Sequence, residues 1–408
     1  MTNIIVIGAG ASGLMAAVTA AQNGAKVTLL EQNNKIGRKI YATGNGKCNF
    51  TNRYMDLSCF HGEKELYRLI FDSFSREDTI SFFEELGIMP CERNGYYYPS
   101  SEQAASVVRA FEAELKRLGV CVRCGAAVAD IEPKDAGYAV SLESGECLTA
   151  RKLIVACGLM ASPKLGSGEG MVSILRRMGY QFSHMVPALC GFYCKGARFC
   201  DLAGVRVLAN IRLEVDGESA GEDRGEVQLT DYGISGIPVF QVSRIGAMAL
   251  HQGKKVSATL SFLPDISEEE LTKRLASFLQ RSGGACTYRE LLNGYLPEKL
   301  GAEIARKVHR EPDDWVQGQE ISDLVHEIHN FKVKLQRVRE FDYAQVCAGG
   351  LVSDQIHPET LESKRHPNLF FCGELLDVDG ICGGYNLQWA WTSGHVAGTC
   401  ATMDCETR

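Results

Sequence analysis

Two glycine-rich stretches, one near each end of the 408 residues, hold the residue types with the most chemical content. The C-terminal stretch runs Gly373-Glu374-Leu375-Leu376-Asp377-Val378-Asp379-Gly380, then Gly383-Gly384-Tyr385-Asn386-Leu387-Gln388-Trp389-Ala390. Glycines there let the backbone come close to a flat ligand. A helix opening after Gly384 presents unpaired N–H groups and the positive end of its dipole, which suit a ring that gains negative charge along one edge. The hydrophobic pattern supplies the supports: residues 369–372 read as a short buried strand, 373–380 as an acidic loop, and 386–401 as a small-residue helix.

The N-terminal stretch has strand, turn and helix in order. Residues 4–7 are continuously apolar, Gly8-Ala9-Gly10-Ala11-Ser12-Gly13 is the turn, and 14–23 form a helix closed by Gly24. A second strand over 26–30 leads into Glu31 and Gln32. Glu31 stands 18 residues beyond Gly13, near the spacing at which a carboxylate meets a ribose hydroxyl in dinucleotide sites. An acid repels a 2′-phosphate, so plain adenosine is favoured. Together with a helix start suited to the charged edge of a flavin, this makes noncovalent FAD the expected cofactor. No second fingerprint of this kind occurs, so NADH or NADPH would dock only transiently as electron donor, or another flavoprotein would deliver the electrons.

Further segments are expected at the same cofactor. Gly37, Arg38 and Lys39 follow the second strand, with cations suited to a pyrophosphate. Thr43-Gly44-Asn45-Gly46-Lys47-Cys48-Asn49 opens a glycine- and amide-rich loop suited to the flavin's polar edge. Residues 152–156 read as a buried strand ending at Cys157-Gly158, small residues against which a cofactor can lie. Val128, at the end of a strand over 120–128, is placed with them.

Composition restricts the partners. Hydrophobic residues make up 45% of the chain, enough for two or three domains with real cores. A net charge of −7 argues against nucleic acid as the main partner. The uncharged residues before Lys26 lack a basic leader and are interrupted by glycines, and no other span suits a bilayer, so a cytoplasmic protein without membrane attachment is expected. The 16 cysteines are scattered through apolar runs and read as reduced thiols. Neither the single C-x-x-C at Cys121 and Cys124 nor His326-Glu327-Ile328-His329 completes a metal-ligand pattern, so no metal is expected.

Between the two dinucleotide segments lies an insert. Val205, Val207, Ile211, Leu213 and Val215 alternate, Asp216-Gly217 turns, and 226–229 follows, giving an antiparallel β unit. From Ser267 the period becomes helical, with capping boxes at Ser267–Glu270 and Thr287–Glu290. The fold class is therefore α/β: a Rossmann-like FAD-binding domain of the two-dinucleotide-binding type over 1–186 and 337–408, interrupted by a β-rich part over 187–265 and a helical part over 266–336. The substrate is expected where insert and flavin meet. Nothing in the sequence specifies an oligomeric state.

These segments, with Ala344-Gln345-Val346-Cys347-Ala348-Gly349-Gly350 and the insert's Gly225-Glu226 and Thr230-Asp231-Tyr232-Gly233-Ile234-Ser235-Gly236, resemble the BaiN-like flavoprotein family, also labelled the aminoacetone-oxidase family of FAD-binding enzymes. The resemblance spans nearly the whole chain. One departure is Ala156-Cys157-Gly158, where the common form is Ala-Thr-Gly. The resemblance implies an FAD-dependent oxidoreductase with a barrel-like and helical insertion. Its proposed activities are reduction of carbon–carbon double bonds in 3-oxo bile acid intermediates and oxidation of small amino ketones such as aminoacetone.

We expect the reductase: hydride passes between flavin N5 and a small-molecule enone while the protein supplies position and a proton. Tyr385, Tyr232 and Lys47 are the candidate proton donors by their place in the motifs. An RNA-modifying or non-redox flavoprotein is the alternative of a different class, against which the acidic balance counts.

Overall fold

The computed structural model describes residues 2–403, which divide into two compact units, one formed by residues 2–185 with 346–403 and the other by Val186–Gln345. The first unit is built on a five-stranded parallel sheet in the order Leu369–Phe371, Lys152–Val155, Asn3–Ile7, Lys26–Glu31, Cys121–Cys124. Its three inner strands are buried on both faces, which is why they read as unbroken apolar runs rather than alternating ones. Strands from both ends of the chain thus meet in one sheet.

The helix Ala11–Gln22 follows the first strand, and the helix Tyr385–Cys400 packs along it. Their approach depends on absent side chains. A Cβ on Gly394 would overlap the Ser12 carbonyl oxygen, and one on Gly398 would lie 2.7 Å from the Ala16 oxygen. Smaller antiparallel pairs carry the loops above the sheet: Thr51–Asn52 joins Tyr96–Pro99 and Pro90–Arg93, and Val378–Gly380 joins Phe60–Gly62.

The second unit is a closed six-stranded barrel in the order Phe192–Lys195, Gly233–Ser235, Glu218–Leu229, Arg206–Val215, Val256–Ser261, Phe331–Val338. Its long hairpin turns at Asp216 (φ 52°) and Gly217 (φ 93°), the paired positive φ of a tight two-residue loop. Helix Ile237–His251 packs on the barrel, its Gly246 leaving room for Phe192. Ser267 and Thr287 cap the helices Glu268–Arg281 and Tyr288–Leu292 through the N–H groups of Glu270 and Glu290.

The boundary expected at 336/337 falls inside the last barrel strand. Phe331, Val333 and Leu335 alternate inward there, so the chain returns to the barrel after its helical excursion, and β and helical parts share one core. Among the described residues, no helix is long and apolar enough to cross a membrane.

Candidate functional site

The N-terminal fingerprint folds as a tight crossing between strand and helix. Gly8 has φ 98°, and a Cβ there would sit 2.7 Å from the Ala156 oxygen and 2.8 Å from Cys157 Cα. At Gly13 a Cβ would overlap the Gly8 oxygen. Gly10 differs, because a Cβ there would meet nothing within 4 Å. Two glycines are therefore set by packing, while the middle one keeps open the space before the helix. That helix has no side-chain cap and no acid in its first turn, so no side chain caps its leading N–H groups.

Glu31 ends the neighbouring strand at 8% exposure. It accepts from Ala9 N (2.9 Å), Asn33 N (2.8 Å) and Asn33 Nδ2 (2.5 Å). The carboxylate thus holds the fingerprint turn in place and keeps acceptor capacity on Oε2 for a further donor. Asn33 also accepts from Arg38 Nη1 (2.5 Å), and Arg38 Nη2 donates to the Lys164 carbonyl (2.8 Å). Gln32 reaches the Gly166 carbonyl, and Gly37 N donates to Ala9 O at 2.8 Å. Lys39 pairs with Glu374 at 2.6 Å, and the other oxygen of Glu374 accepts from Cys347 N at 2.8 Å. Both cations expected at a pyrophosphate are thus tied into the chain as struts between its early and late segments.

The amide-rich loop forms a clamp on the C-terminal helix. Residues 38–42 make one helical turn, and Gly44, Asn45 and Cys48 then take positive φ. That curl brings Asn49 over the helix start, where its carboxamide oxygen accepts from Gly384 N (3.2 Å) and its NH2 donates to Thr51 O (2.9 Å) and Tyr97 O (3.1 Å). Gly384 has φ 93°, and any Cβ would strike the Thr51 carbonyl at 2.7 Å. The helix begins at Tyr385, one residue earlier than expected, and carries no side-chain cap. Asn386 instead ties back to the preceding strand, exchanging bonds with Gly380 N (2.8 Å) and Gly380 O (2.7 Å). Asp379 is buried in that strand, and Leu387 is half-buried in the first turn.

The candidate proton donors are placed differently from one another. Tyr385 is buried, and its hydroxyl donates to the Tyr54 carbonyl at 2.8 Å. Burial, then a hydrogen bond with Cys59, holds its phenol well above the usual range. Lys47 is half-exposed and paired with Glu102 at 2.7 Å. Tyr232 belongs to the barrel unit, where its ring lies 4.1 Å from the Arg339 guanidinium carbon. The thiols near the fingerprint are neutral: burial pushes Cys48, Cys157 and Cys372 up to about 12. Val128 opens a separate antiparallel sheet just after Ala126, whose N–H donates to Glu31 O at 2.8 Å.

Several positioning residues were not among the candidate site residues of the sequence. Gln388, fully buried, accepts from Thr51 Oγ1 (2.6 Å) and donates to Thr79 Oγ1 (2.7 Å) and Thr392 Oγ1 (2.9 Å). Trp389 Nε1 donates to Gly373 O and Trp391 Nε1 to Phe50 O, both at 3.0 Å. Ser393 Oγ accepts from Gly373 N at 2.9 Å. The last helix, buried on nearly all sides, thus fixes the acidic loop through Trp389 and Ser393 and the amide-rich loop through Gln388 and Trp391. The signal available in sequence was the density of polar and indole N–H groups on an otherwise apolar helix.

Residues 2–400 match the family model described as the HI0933-like protein Rossmann domain. A 3-dehydro-bile acid delta(4,6)-reductase of Clostridium scindens is 41% identical, over 98% of this chain and 99% of its own. A ribosomal RNA dihydrouridine synthase of Escherichia coli is 28% identical, over 95% of each chain. Among solved structures, a flavocytochrome c3 fumarate reductase in its open conformation superposes with TM-score 0.51 at 14% identity, covering 98% of this chain and 78% of the other. The architecture is the Rossmann-type FAD-binding fold with a closed antiparallel barrel inserted.

Proposed function

We propose that this chain, which belongs to the HI0933-like Rossmann-domain family, is an FAD-dependent reductase that saturates a carbon–carbon double bond conjugated with a carbonyl. Its substrate on this reading is a 3-oxo bile acid or a similar steroid-like enone, handled in the cytoplasm. The observation that carries the reading is the full-length 41% identity to a reductase of that bond type.

The residues present fit FAD. The space before Gly10 would take a pyrophosphate against the first-turn N–H groups of Ala11, Ser12 and Gly13. Glu31 and Gln32 flank the adenosine side. Asn49, Gly384, Tyr385, Asn386 and Leu387 would meet the ring edge, with Glu374 and Lys39 between. When bound, FAD supplies a hydride to the β-carbon of the enone. The chain's part is electrostatic and positional: first-turn N–H groups at Tyr385 to Leu387 favour negative charge beside them, and the Asn49 and Gln388 clamps hold that turn fixed. The Tyr385 hydrogen is committed to the Tyr54 carbonyl, so protonation of the α-carbon falls to a group other than this phenol.

A second reading is favoured by the dihydrouridine synthase match. Uridine's C5–C6 bond is also conjugated with a carbonyl, so the same chemistry on an RNA carrier is a coherent alternative. The discriminating experiment begins with anaerobic reduction of the bound flavin by NADH and by NADPH. Reduced enzyme is then mixed with a 3-oxo-4-ene bile acid, a uridine-containing ribosomal RNA transcript, aminoacetone, or dioxygen. Rapid reoxidation by the enone alone is expected. Reoxidation by the transcript and not by the enone would replace the first reading with the second.

A further inference from the structure

The strand Tyr96–Pro99 opens with three consecutive tyrosines, and its pleat sorts them. Tyr97 turns to one side, its ring centre 6.4 Å from that of Phe50. Tyr96 and Tyr98 share the opposite face, and each meets one of the two glycine turns proposed to face the flavin. A Cβ on Gly383 would lie 3.0 Å from Tyr96 Cε1, and one on Gly44 would lie 3.4 Å from Tyr98 Cε1. The same Cβ on Gly383 would lie 3.1 Å from Tyr385 Cε2, so bare backbone there is what lets two tyrosine rings close on one residue.

Tyr54 continues the row. Its ring lies against the hairpin turn, where a Cβ on Gly95 would be 3.1 Å from Tyr54 Cε2. One carboxamide sets its place: Asn52 Oδ1 accepts from Tyr54 N (2.9 Å), and Asn52 Nδ2 donates to Gly383 O (2.8 Å). The backbone carbonyl of Tyr54, not its ring, takes the Tyr385 hydroxyl. Tyr54 is 67% exposed, and Tyr96 and Tyr98 are only half-buried. Ring surface gains from burial, so three tyrosines left open beside two crowded glycine turns mark a surface for an apolar ligand.

We propose that Tyr54, Tyr96 and Tyr98 form a wall against which the apolar fused-ring body of the substrate lies. The inference rests on the enone-reductase reading and deepens it. The three tyrosines are positioning residues within the unit that holds the cofactor segments, and they select a rigid apolar body through ring contact rather than through charge or their hydroxyls.

The test uses FAD-loaded protein and two probes, a 3-oxo-4-ene bile acid and uridine monophosphate, with dissociation constants from calorimetry. Tyr54→Ser should weaken bile acid binding by about threefold to tenfold, the scale of one aromatic contact, and Tyr98→Ser should do the same. Tyr54→Phe, which keeps the ring, should stay within about twofold of the wild type on the same scale. FAD content should not change in Tyr54→Ser, because the bond to Tyr385 uses the backbone. Unchanged affinity in either serine variant overturns the wall, as does a loss in Tyr54→Phe equal to that in Tyr54→Ser. So does a wild type that fails to bind the bile acid or prefers uridine monophosphate. A bile acid that binds but does not reoxidise the reduced flavin would instead overturn the enone reading, while the variant affinities still decide the wall.

Discussion

Thr51 and Gln388 lie 337 positions apart, yet the Thr51 hydroxyl donates to the Gln388 carboxamide oxygen at 2.6 Å in a fully buried site. The same carboxamide donates to Thr79 and Thr392, so one side chain ties the amide-rich loop, a surface helix and the last helix together. Gln388→Leu would keep the volume and leave the Thr51 hydroxyl without its acceptor. A loss of about 1–3 kcal/mol is expected, the cost of an unsatisfied buried group, with faster release of FAD. Urea unfolding of holo and apo protein checks both. Wild-type stability would mean that water replaces the amide.

Gly394 tests the packing of the two cofactor helices. In an isolated helix, Gly→Ala stabilises by roughly 1 kcal/mol. Here the added methyl would overlap the Ser12 carbonyl and lie 3.1 Å from Met15 Cβ. Overpacking of this kind costs about 1–3 kcal/mol, so the sign should reverse: Gly394→Ala is expected to lower the unfolding midpoint. A stabilised variant would show that the helices separate freely.

These two sites also mark where the sequence is legible and where it is not. The fingerprint turn, Glu31, the glycine pair at 383–384 and the parallel strands were readable because each is a local pattern with a local physical cause. Gln388 was not, since its partners Thr51 and Thr79 are ordinary polar residues until the fold buries them side by side. Arg38 and Lys39 were readable as cations, but their partners Lys164 O and Glu374 lie far along the chain. The strand Phe331–Val338 had a clean alternation. Placing a boundary at 336 cut it, because the preceding helices masked a return to the barrel.

Glu31 holds the fingerprint turn, and one variant tests whether it also meets the adenosine ribose. Glu31→Ala removes the acceptor of Ala9 N–H and of both Asn33 donors, and on our reading a bond to the adenosine ribose as well. FAD affinity should weaken by about 1.5–3 kcal/mol, as for hydrogen bonds to a charged group. Fluorescence titration of apoprotein measures this. Unchanged affinity with reduced stability would leave Glu31 as a loop anchor alone.

Acid stability should depend on half-buried imidazoles. His395 stacks on Phe74 with ring centres 4.0 Å apart and lies 3.3 Å from Thr19 Oγ1. Burial lowers its pKa below the usual 6.5, and lowers those of His329 and His366 likewise. Below pH 6.5 the unfolded chain therefore binds more protons than the folded one, so stability is full above that pH and falls as pH drops toward the folded values. His395→Gln should reduce the slope between pH 6.5 and 5 by a fraction of the about 1.4 kcal/mol per pH unit that one full proton gives. A slope unchanged from wild type would show that His395 opens to solvent before it titrates.

The start of the last helix is the place where flavin retention and flavin potential should come apart. Leu387 is the third residue of that helix, whose Gln388 N–H donates to Gly384 O at 2.9 Å. The Leu387 N–H is therefore one of the unpaired leading donors, and a proline there removes a donor without breaking a helical bond. Proline is tolerated in a first turn, although it restricts Asn386 before it. The Asn49 bond to Gly384 and the Asn386 bonds to Gly380 remain available to hold the turn. Leu387→Pro should keep most of its FAD, which is anchored mainly at the fingerprint, yet show a lower reduction potential and slower reduction, because charge developing at the ring edge loses a dipole aimed at it. Photoreduction against a reference dye reads the potential, and released FAD reads retention. A variant with wild-type potential and wild-type reduction rate would place the ring edge elsewhere, whatever its FAD content.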